Sequence, residues 1–392
     1  MEIRCPYCGN VFDTEHGMQC PGCGAMWSTV PQQPVPQVLV AQPKRRRRAW
    51  VGGVIGIIAI FIIIFLLLYT PLGSFLLHIM SGTPSSATFT VKREIEFVSS
   101  KPLTYEIHLP KIVSGMGQTV RSLSTDAHSQ VSINGTVWFL WEGVSTTGGK
   151  ASLTFTVNTK EMKWSMSASD SGNEDQIPAE IKSRYLGREW KITPDDTEIQ
   201  HLAKNLTDGC TTVYEKLDAI YRYIQRNIRY VQGPAGEPND PLTTLHSGVG
   251  DCDDQSILFC SLARAVGVPA WLELGALYSQ IEGKWGPHAW VRTYIPYKNG
   301  TGIYVNIDTA NNMFLTRDAM RFTDWVSTGN GDELKYYYFF FVYSYFGSKP
   351  TVNMEDRYIT LSMEKEYGVA GMQCFLLSYA RNFYFHFFLK IP

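Results

Sequence analysis

The run WVGGVIGIIAIFIIIFLLLYT, Trp50–Thr70, holds no charged residue over about 20 positions. A helix of that length crosses the roughly 30 Å hydrocarbon layer of a bilayer. We read it as one transmembrane helix, which divides the 392-residue chain into two parts in different compartments. A cleaved signal peptide would carry a shorter apolar stretch near the N-terminus, whereas about 50 residues with a pattern of their own precede this run. The block Lys44–Arg48 stands directly before it and assigns the N-terminal side to the cytoplasm by the positive-inside rule. Everything after about Gly82 is then expected outside the cytoplasm, as a single-pass protein of the cell membrane. The formal net charge is -1; with five positive charges gathered in Lys44–Arg48, the rest of the chain stands at about -6. That balance argues against a nucleic-acid partner. Three glycosylation tripeptides, at Asn134, Asn205 and Asn299, all follow the span.

The eight cysteines divide with the membrane. Before it, Cys5-x2-Cys8 and Cys20-x2-Cys23 form two C-P-x-C-G knuckles separated by eleven residues. Four thiolates in two close pairs suit tetrahedral zinc, and a segment this short cannot otherwise bury enough surface to fold. A pair of disulfides is disfavoured in a reduced compartment. Residues 1–27 resemble the small zinc ribbons found at the N-termini of many prokaryotic proteins. A closed site of this kind is structural, so the expected cofactor is a structural Zn2+ and the expected role is docking to a cytoplasmic protein partner. Residues 28–49 read as a Pro/Gln-rich linker ending in the basic block.

Beyond the membrane the pattern changes twice. Residues 84–195 show period-two alternation, as in Leu103, Tyr105, Ile107 and Leu109, with Asn134-Gly135 as a hairpin turn, so a β-sandwich-like domain is expected. From about residue 196 the period becomes helical. Thr212 and Glu215 can form a capping box ahead of Val213, Leu217, Ile220, Ile224 and Ile228. Residues 326–392 are strongly aromatic, including Tyr336–Phe346 and Asn382–Phe388. Neither run reaches spanning length, and the readings are buried strands or contact with the membrane interface.

The chemistry gathers between residues 196 and 325. Cys252 lies among Asp251, Asp253 and Asp254, whose charges oppose a thiolate. The same stretch reads as a helix start, with Asp251 as N-cap and Gly267-Val268-Pro269 as the stop. A thiol in the first turn faces unpaired amides and the positive end of the helix dipole. Cys260, two turns on, reads as an inert apolar residue. Downstream, WGPHAWVRTYIP and GIYVNIDTANNMF flank an Asn299-Gly300 turn and predict an antiparallel hairpin. With pairing numbers summing to 596–598, His288 and Asp308 share a face, which brings a carboxylate to an imidazole. Nucleophile, base and orienting carboxylate are the set required for acyl transfer.

GVGDCDDQSILFCSLARAVGVPA, HAWVRTYI and NIDTA, preceded by AIYRYIQRNIRYV, resemble in order and spacing the landmarks of the transglutaminase-like superfamily, which shares its core with papain-type cysteine proteases. The resemblance covers about residues 211–314. It implies Cys252 as nucleophile, His288 as general base and acid, and Asp308 as the residue that orients His288. The Cys252 amide, with Tyr230 or Gln232, is implied as oxyanion donor. Thr309 stands where the family often has proline, and touches no catalytic atom.

The expected whole is a multidomain α+β protein: zinc ribbon, one transmembrane helix, exported β-sandwich-like domain, and papain-like or transglutaminase-like α+β core. The expected activity is cleavage of peptide or carboxamide bonds in protein or peptide substrates at the cell surface through a Cys thioester. Hydrolysis is favoured over crosslinking, and a catalytically silent binding or sensor module on the same fold is the alternative. Whether Cys210 and Cys374 pair stays open.

Overall fold

In the computed structural model, which describes residues 2–5, 9–13, 19–24, 83–233 and 236–367, the alternating segments become long strands. The linker and transmembrane readings (28–49 and 50–70), Cys8, Cys374 and Asn382–Phe388 lie outside the described residues. Among those described, no helix is long and apolar enough to cross a membrane. The chain divides into two compact units, Met1–Ile64 and Phe65–Pro392.

In the first unit, short strands Glu2–Arg4 and Val11–Asp13 pair antiparallel. Each knuckle turns tightly: the amide of Gly9 donates to Cys5 O and that of Gly24 to Cys20 O, both at 2.9 Å.

The second unit opens with β1 (Ser86–Ser99), β2 (Leu103–Pro110), β3 (Gln118–Thr125), β4 (Ser129–Ile133), β5 (Thr136–Ser145) and β6 (Gly148–Lys160). The β4–β5 hairpin pairs Ile133 with Thr136 across Asn134 and Gly135, both at positive φ, as an Asn-Gly turn requires. Helices α1 (Ala179–Tyr185), α2 (Thr197–Leu206), α3 (Val213–Asn227), α4 (Pro241–Ser247) and α5 (Cys252–Ala265) follow. Next come β7 (Ala270–Ser279), β8 (Lys284–Pro296), β9 (Gly302–Asp308) and β10 (Arg321–Val326), then α6 (Gly331–Tyr338), β11 (Phe341–Ser344) and β12 (Val352–Glu366).

Two four-stranded sheets form the sandwich, in the orders β12-β1-β6-β3 and β11-β2-β5-β4. Phe89, Val91, Ile95 and Phe97 from β1 meet Ile107 and Trp141 between them, all buried. A third, antiparallel sheet runs Met313–Phe314, β9, β8, β7, β10. Helices α3 and α5 pack on one of its faces. Thr212 and Glu215 form the capping box of α3, and its Val213, Leu217, Ile220 and Ile224 are buried. Each such side chain contributes roughly 1.5–3 kcal/mol through burial.

Two expected boundaries shift. The β-rich stretch does not extend to residue 195, because Ile177, Ile181 and Ile192 pack in the core of the helices. Nor do residues from 326 onward form a separate part: β11 pairs with β2 and β12 with β1, so these strands complete the N-terminal sandwich. Tyr336–Tyr338 are helical rather than strand, because Asn330 caps the amides of Asp332 and Glu333 and starts α6.

Candidate active site

The helix carrying Cys252 is built as its sequence suggests. Asp251 Oδ1 accepts from the amides of Asp253 and Asp254 at 3.2 and 3.4 Å. Asp254 Oδ2 in turn accepts from the Asp251 amide at 3.1 Å, completing a capping box. Asp254 is further held by Asn239, through the backbone amide at 2.7 Å and the side chain at 3.0 Å. Two of the three aspartates are therefore engaged in shaping the helix start. Gly250 permits the close approach: a Cβ there would lie 2.8 Å from Asp254 Cβ and 3.0 Å from Thr244 Cγ2.

Cys252 is buried, and its Sγ lies 3.7 Å from Asp253 Oδ1. The amide of Ala289, the residue directly after His288, acts on the thiol in the opposite sense and favours its ionised form. Ser256 Oγ reaches Ala289 O at 3.4 Å, so α5 is tied to β8 at this point. Because Asp251 takes up the Asp253 and Asp254 amides, its side chain leaves the Cys252 amide available to an oxyanion. Burial foremost, then the charge of Asp253, pushes the Cys252 thiol well above its usual range, and the Ala289 amide only partly offsets this. The thiol is thus protonated at rest. A preformed thiolate–imidazolium pair is not what the geometry holds: among the described residues the thiol makes no hydrogen bond to His288.

His288 and Asp308 meet as the strand parity predicts. The β8–β9 register pairs Val291 with Ile307 and Pro296 with Gly302, numbers summing to 598, so His288 and Asp308 are diagonal neighbours on one face. His288 Nε2 donates to Asp308 Oδ2 at 2.8 Å. That bond leaves Nδ1 as the nitrogen with a lone pair. Gly275 pairs with His288 across β7–β8, and any side chain there would strike Phe322 O, 2.0 Å from its Cβ.

Asp308 is held from all sides. Arg321 Nη1 donates to its Oδ2 at 2.7 Å, Asn311 Nδ2 to the same oxygen at 2.9 Å, and the Asn311 amide to Oδ1 at 3.1 Å. Burial would raise this carboxyl, but the adjoining His288 ring and the Arg321 guanidinium outweigh it and hold Asp308 well below the usual carboxylate range. Arg321 is fixed by Asp318 through Nε at 2.9 Å and stacks over the Trp290 ring at 5.0 Å. Asn311 and Arg321 are absent from the sequence reading. Asn311, three residues after Asp308, carried a local turn signal; Arg321 arrives from β10 at the far edge of the sheet, with no local signal.

Tyr230 sits in the short strand Arg229–Tyr230, which runs parallel to Val249–Gly250 just before Cys252. Burial first, and then the neighbouring Cys252, Asp251 and Asp253, push its phenol up to about 12, so it remains a neutral donor. No described contact brings Gln232 to the thiol. Asp253 is pushed up to about 7 by burial and then by Asp251. Its proton is held in the folded protein above the ordinary range near 3.9, so its contribution to stability is complete below about pH 4 and is lost as pH rises to about 7. Asp253→Asn is therefore expected to gain stability relative to wild type between pH 4 and 7, and to alkylate Cys252 at lower pH. Urea unfolding and iodoacetamide rates across that range measure both, and parallel wild-type and variant curves would refute the assignment.

In the N-terminal unit the sulfurs of Cys5, Cys20 and Cys23 lie within 4.8 Å of one another, and Cys5 and Cys23 are 3.7 Å apart. Tetrahedral thiolates bound at 2.3 Å would stand about 3.8 Å apart, so the donors fit a metal ion of this type.

Residues 200–309 match the family model of the transglutaminase-like superfamily. In structure, the chain is similar to a candidate cysteine protease from Cytophaga hutchinsonii, with 17% identity, a TM-score of 0.54, and coverage of 74% of this chain and 96% of that one. At that identity the likeness establishes the fold. The periplasmic domain of TgpA from Pseudomonas aeruginosa also matches, at 13% identity and TM-score 0.31, over 59% of this chain and 90% of that one. No curated protein matches by sequence. The chain thus carries a transglutaminase-like α+β domain that contains the Cys252, His288 and Asp308 positions up to its last residues.

Proposed function

We propose that the protein is a cysteine-type hydrolase acting on peptide or carboxamide bonds, with Cys252 as nucleophile, His288 as general base and acid, and Asp308 as the residue that orients it. One observation carries this reading: the His288 ring presents Nδ1 because Nε2 is held by Asp308, and the next residue, Ala289, accepts from Ser256 one helical turn after Cys252, which ties the two reacting groups together. As Sγ attacks the carbonyl carbon, its proton passes to Nδ1 and the C=O electrons move onto oxygen. The Cys252 amide and the Tyr230 hydroxyl are the oxyanion donors. Collapse expels the amine, or ammonia from a carboxamide, which takes the proton from His288 and leaves an S-acyl Cys252. Water then adds with His288 as base, releasing the carboxylic acid and restoring the thiol. A lysine amine in place of water would give a crosslink.

Incubation of the full chain with a casein digest tests this reading: new peptide termini or released ammonia are expected, and no new termini, ammonia or crosslinks would overturn it. A silent binding module is the second reading, and the raised thiol pKa is the observation that favours it.

The remaining architecture is part of the same proposal. The charge-free run Trp50–Thr70 behind Lys44–Arg48 supports a single-pass anchor in the cell membrane, with the enzyme outside the cytoplasm and acting on surface proteins or peptides. Asn134, Asn205 and Asn299 are all exposed, as modification would require. The cluster Cys5, Cys20 and Cys23, with Cys8 as fourth ligand, would hold a structural Zn2+ and dock a cytoplasmic protein. Cys20→Ser is expected to reduce bound zinc from one ion per chain to none, read by elemental analysis, with hydrolysis unchanged. Full zinc retention would refute the ligand set.

A further inference from the structure

Away from Cys252, a cavity of about 250 Å3 opens between the sandwich and the third sheet. Its walls come from the β2–β3 loop, the β4–β5 turn, Arg292 of β8 and residues 323–326 of β10. We infer that it is a binding site for a small apolar carboxylate, recognised by Arg292 and Lys111.

The charge of the walls sets the sign of the ligand. Arg292 commits Nε to Glu273 at 2.8 Å, and its side chain is still 16% exposed. Among the described residues its Nη nitrogens have no hydrogen-bond partner, and neither does Lys111 Nζ, at the exposed mouth. Among the described residues the one acid lining the cavity, Asp324, accepts instead from Arg93 at 3.3 Å and from the Tyr337 hydroxyl at 2.9 Å. Arg292, paired with Glu273 through Nε only, and Lys111 thus face a space whose acid is already engaged by Arg93 and Tyr337, and a carboxylate can take two N–H bonds from one guanidinium. Val113, Val137 and Trp325 give the wall its apolar part, beside the polar Ser114, Thr136 and Thr323.

The site is also rigid. Glu273 fixes Arg292 and is itself held by Arg317 at 3.1 Å and Asn306 at 2.8 Å. Gln118 pins the loop wall to β10: its Nε2 donates to Thr323 O and its Oε1 accepts from the Thr323 amide, both at 2.7 Å. Such preorganisation lowers the ordering cost of binding. The volume lies below the roughly 300–1,000 Å3 of drug-sized sites, which limits the ligand to about one residue. A single apolar amino acid with a blocked amine, or the last residue of a peptide, satisfies these terms. Arg292 and His288 share a strand face about 13 Å apart, so the site is distinct from the reacting atoms.

Calorimetry on the full chain in detergent separates the outcomes, and it does not depend on activity. N-acetyl-leucine is expected to bind and N-acetyl-leucinamide not to. Arg292→Gln should weaken binding roughly ten- to a hundredfold. Gly115→Leu is expected to abolish it without loss of fold, because Gly115 lines the cavity and a Cβ there meets nothing within 4 Å. A leucine-ending peptide acid that binds at least as tightly would assign the site to chain termini; binding by N-acetyl-leucine alone would assign it to small carboxylates, and both uphold it. Equal binding of acid and amide, no binding of either acid at concentrations on the order of 1 mM, or retention in Gly115→Leu would overturn the inference.

Discussion

Asp308→Asn is expected to lower turnover of a peptide or carboxamide substrate by roughly 10^3- to 10^4-fold while the protein remains folded at neutral pH. The wild-type carboxylate receives donors at both oxygens: His288, Asn311 and Arg321 at Oδ2, and the Asn311 amide at Oδ1. An asparagine has only one accepting oxygen. If its amide nitrogen faces His288 Nε2, the ring must move its proton to Nδ1 and can no longer accept one from Cys252. If the nitrogen faces the other way, it meets the Asn311 amide donor. Because Asp308 is held below the usual carboxylate range, its contribution to stability is present above about pH 4 and is lost as pH falls further. The variant should therefore also lose this part of the acid dependence of unfolding. Circular dichroism distinguishes a folded, inactive protein from an unfolded one. Activity within tenfold of wild type would remove Asp308 from the mechanism.

The second large effect concerns His288. His288→Gln is expected to reduce turnover by a similar factor and to move alkylation of Cys252 to higher pH. Burial and Asp253 hold the thiol protonated, and only the Ala289 amide pulls the other way. A base must therefore remove the proton as the sulfur attacks, and glutamine cannot do so. Asn311 donates to both oxygens of Asp308, from Nδ2 at 2.9 Å and from its backbone amide at 3.1 Å, and so holds the carboxylate that orients His288; Asn311→Ala should show a milder loss with the same pH profile. An alkylation profile unaffected by His288→Gln would mean that the thiol never engages the imidazole.

These two predictions rest on features of unequal legibility. The pairing of His288 with Asp308 follows from strand parity and a short turn, both local, and the register fell within the predicted range. The start of α5 was equally readable, because the Asp251 cap and its neighbours lie within four residues of one another. Arg321 and the Ala289 amide were not readable, since their positions depend on which strands lie side by side. The same holds for β11 and β12, which reach across more than 200 residues to pair with β2 and β1. Nor could charge counting alone describe Cys252. Asp251 and Asp254 turn to capping, while burial makes a larger contribution to the thiol than any single aspartate.

Acid quenching of the full chain within seconds of mixing with a peptide substrate, followed by intact-mass and peptide mapping, tests the central claim most directly. An acyl adduct on Cys252 is expected that disappears on treatment with hydroxylamine and is absent from Cys252→Ala, along with turnover. Undiminished product formation by Cys252→Ala, or an adduct on another residue, would contradict it.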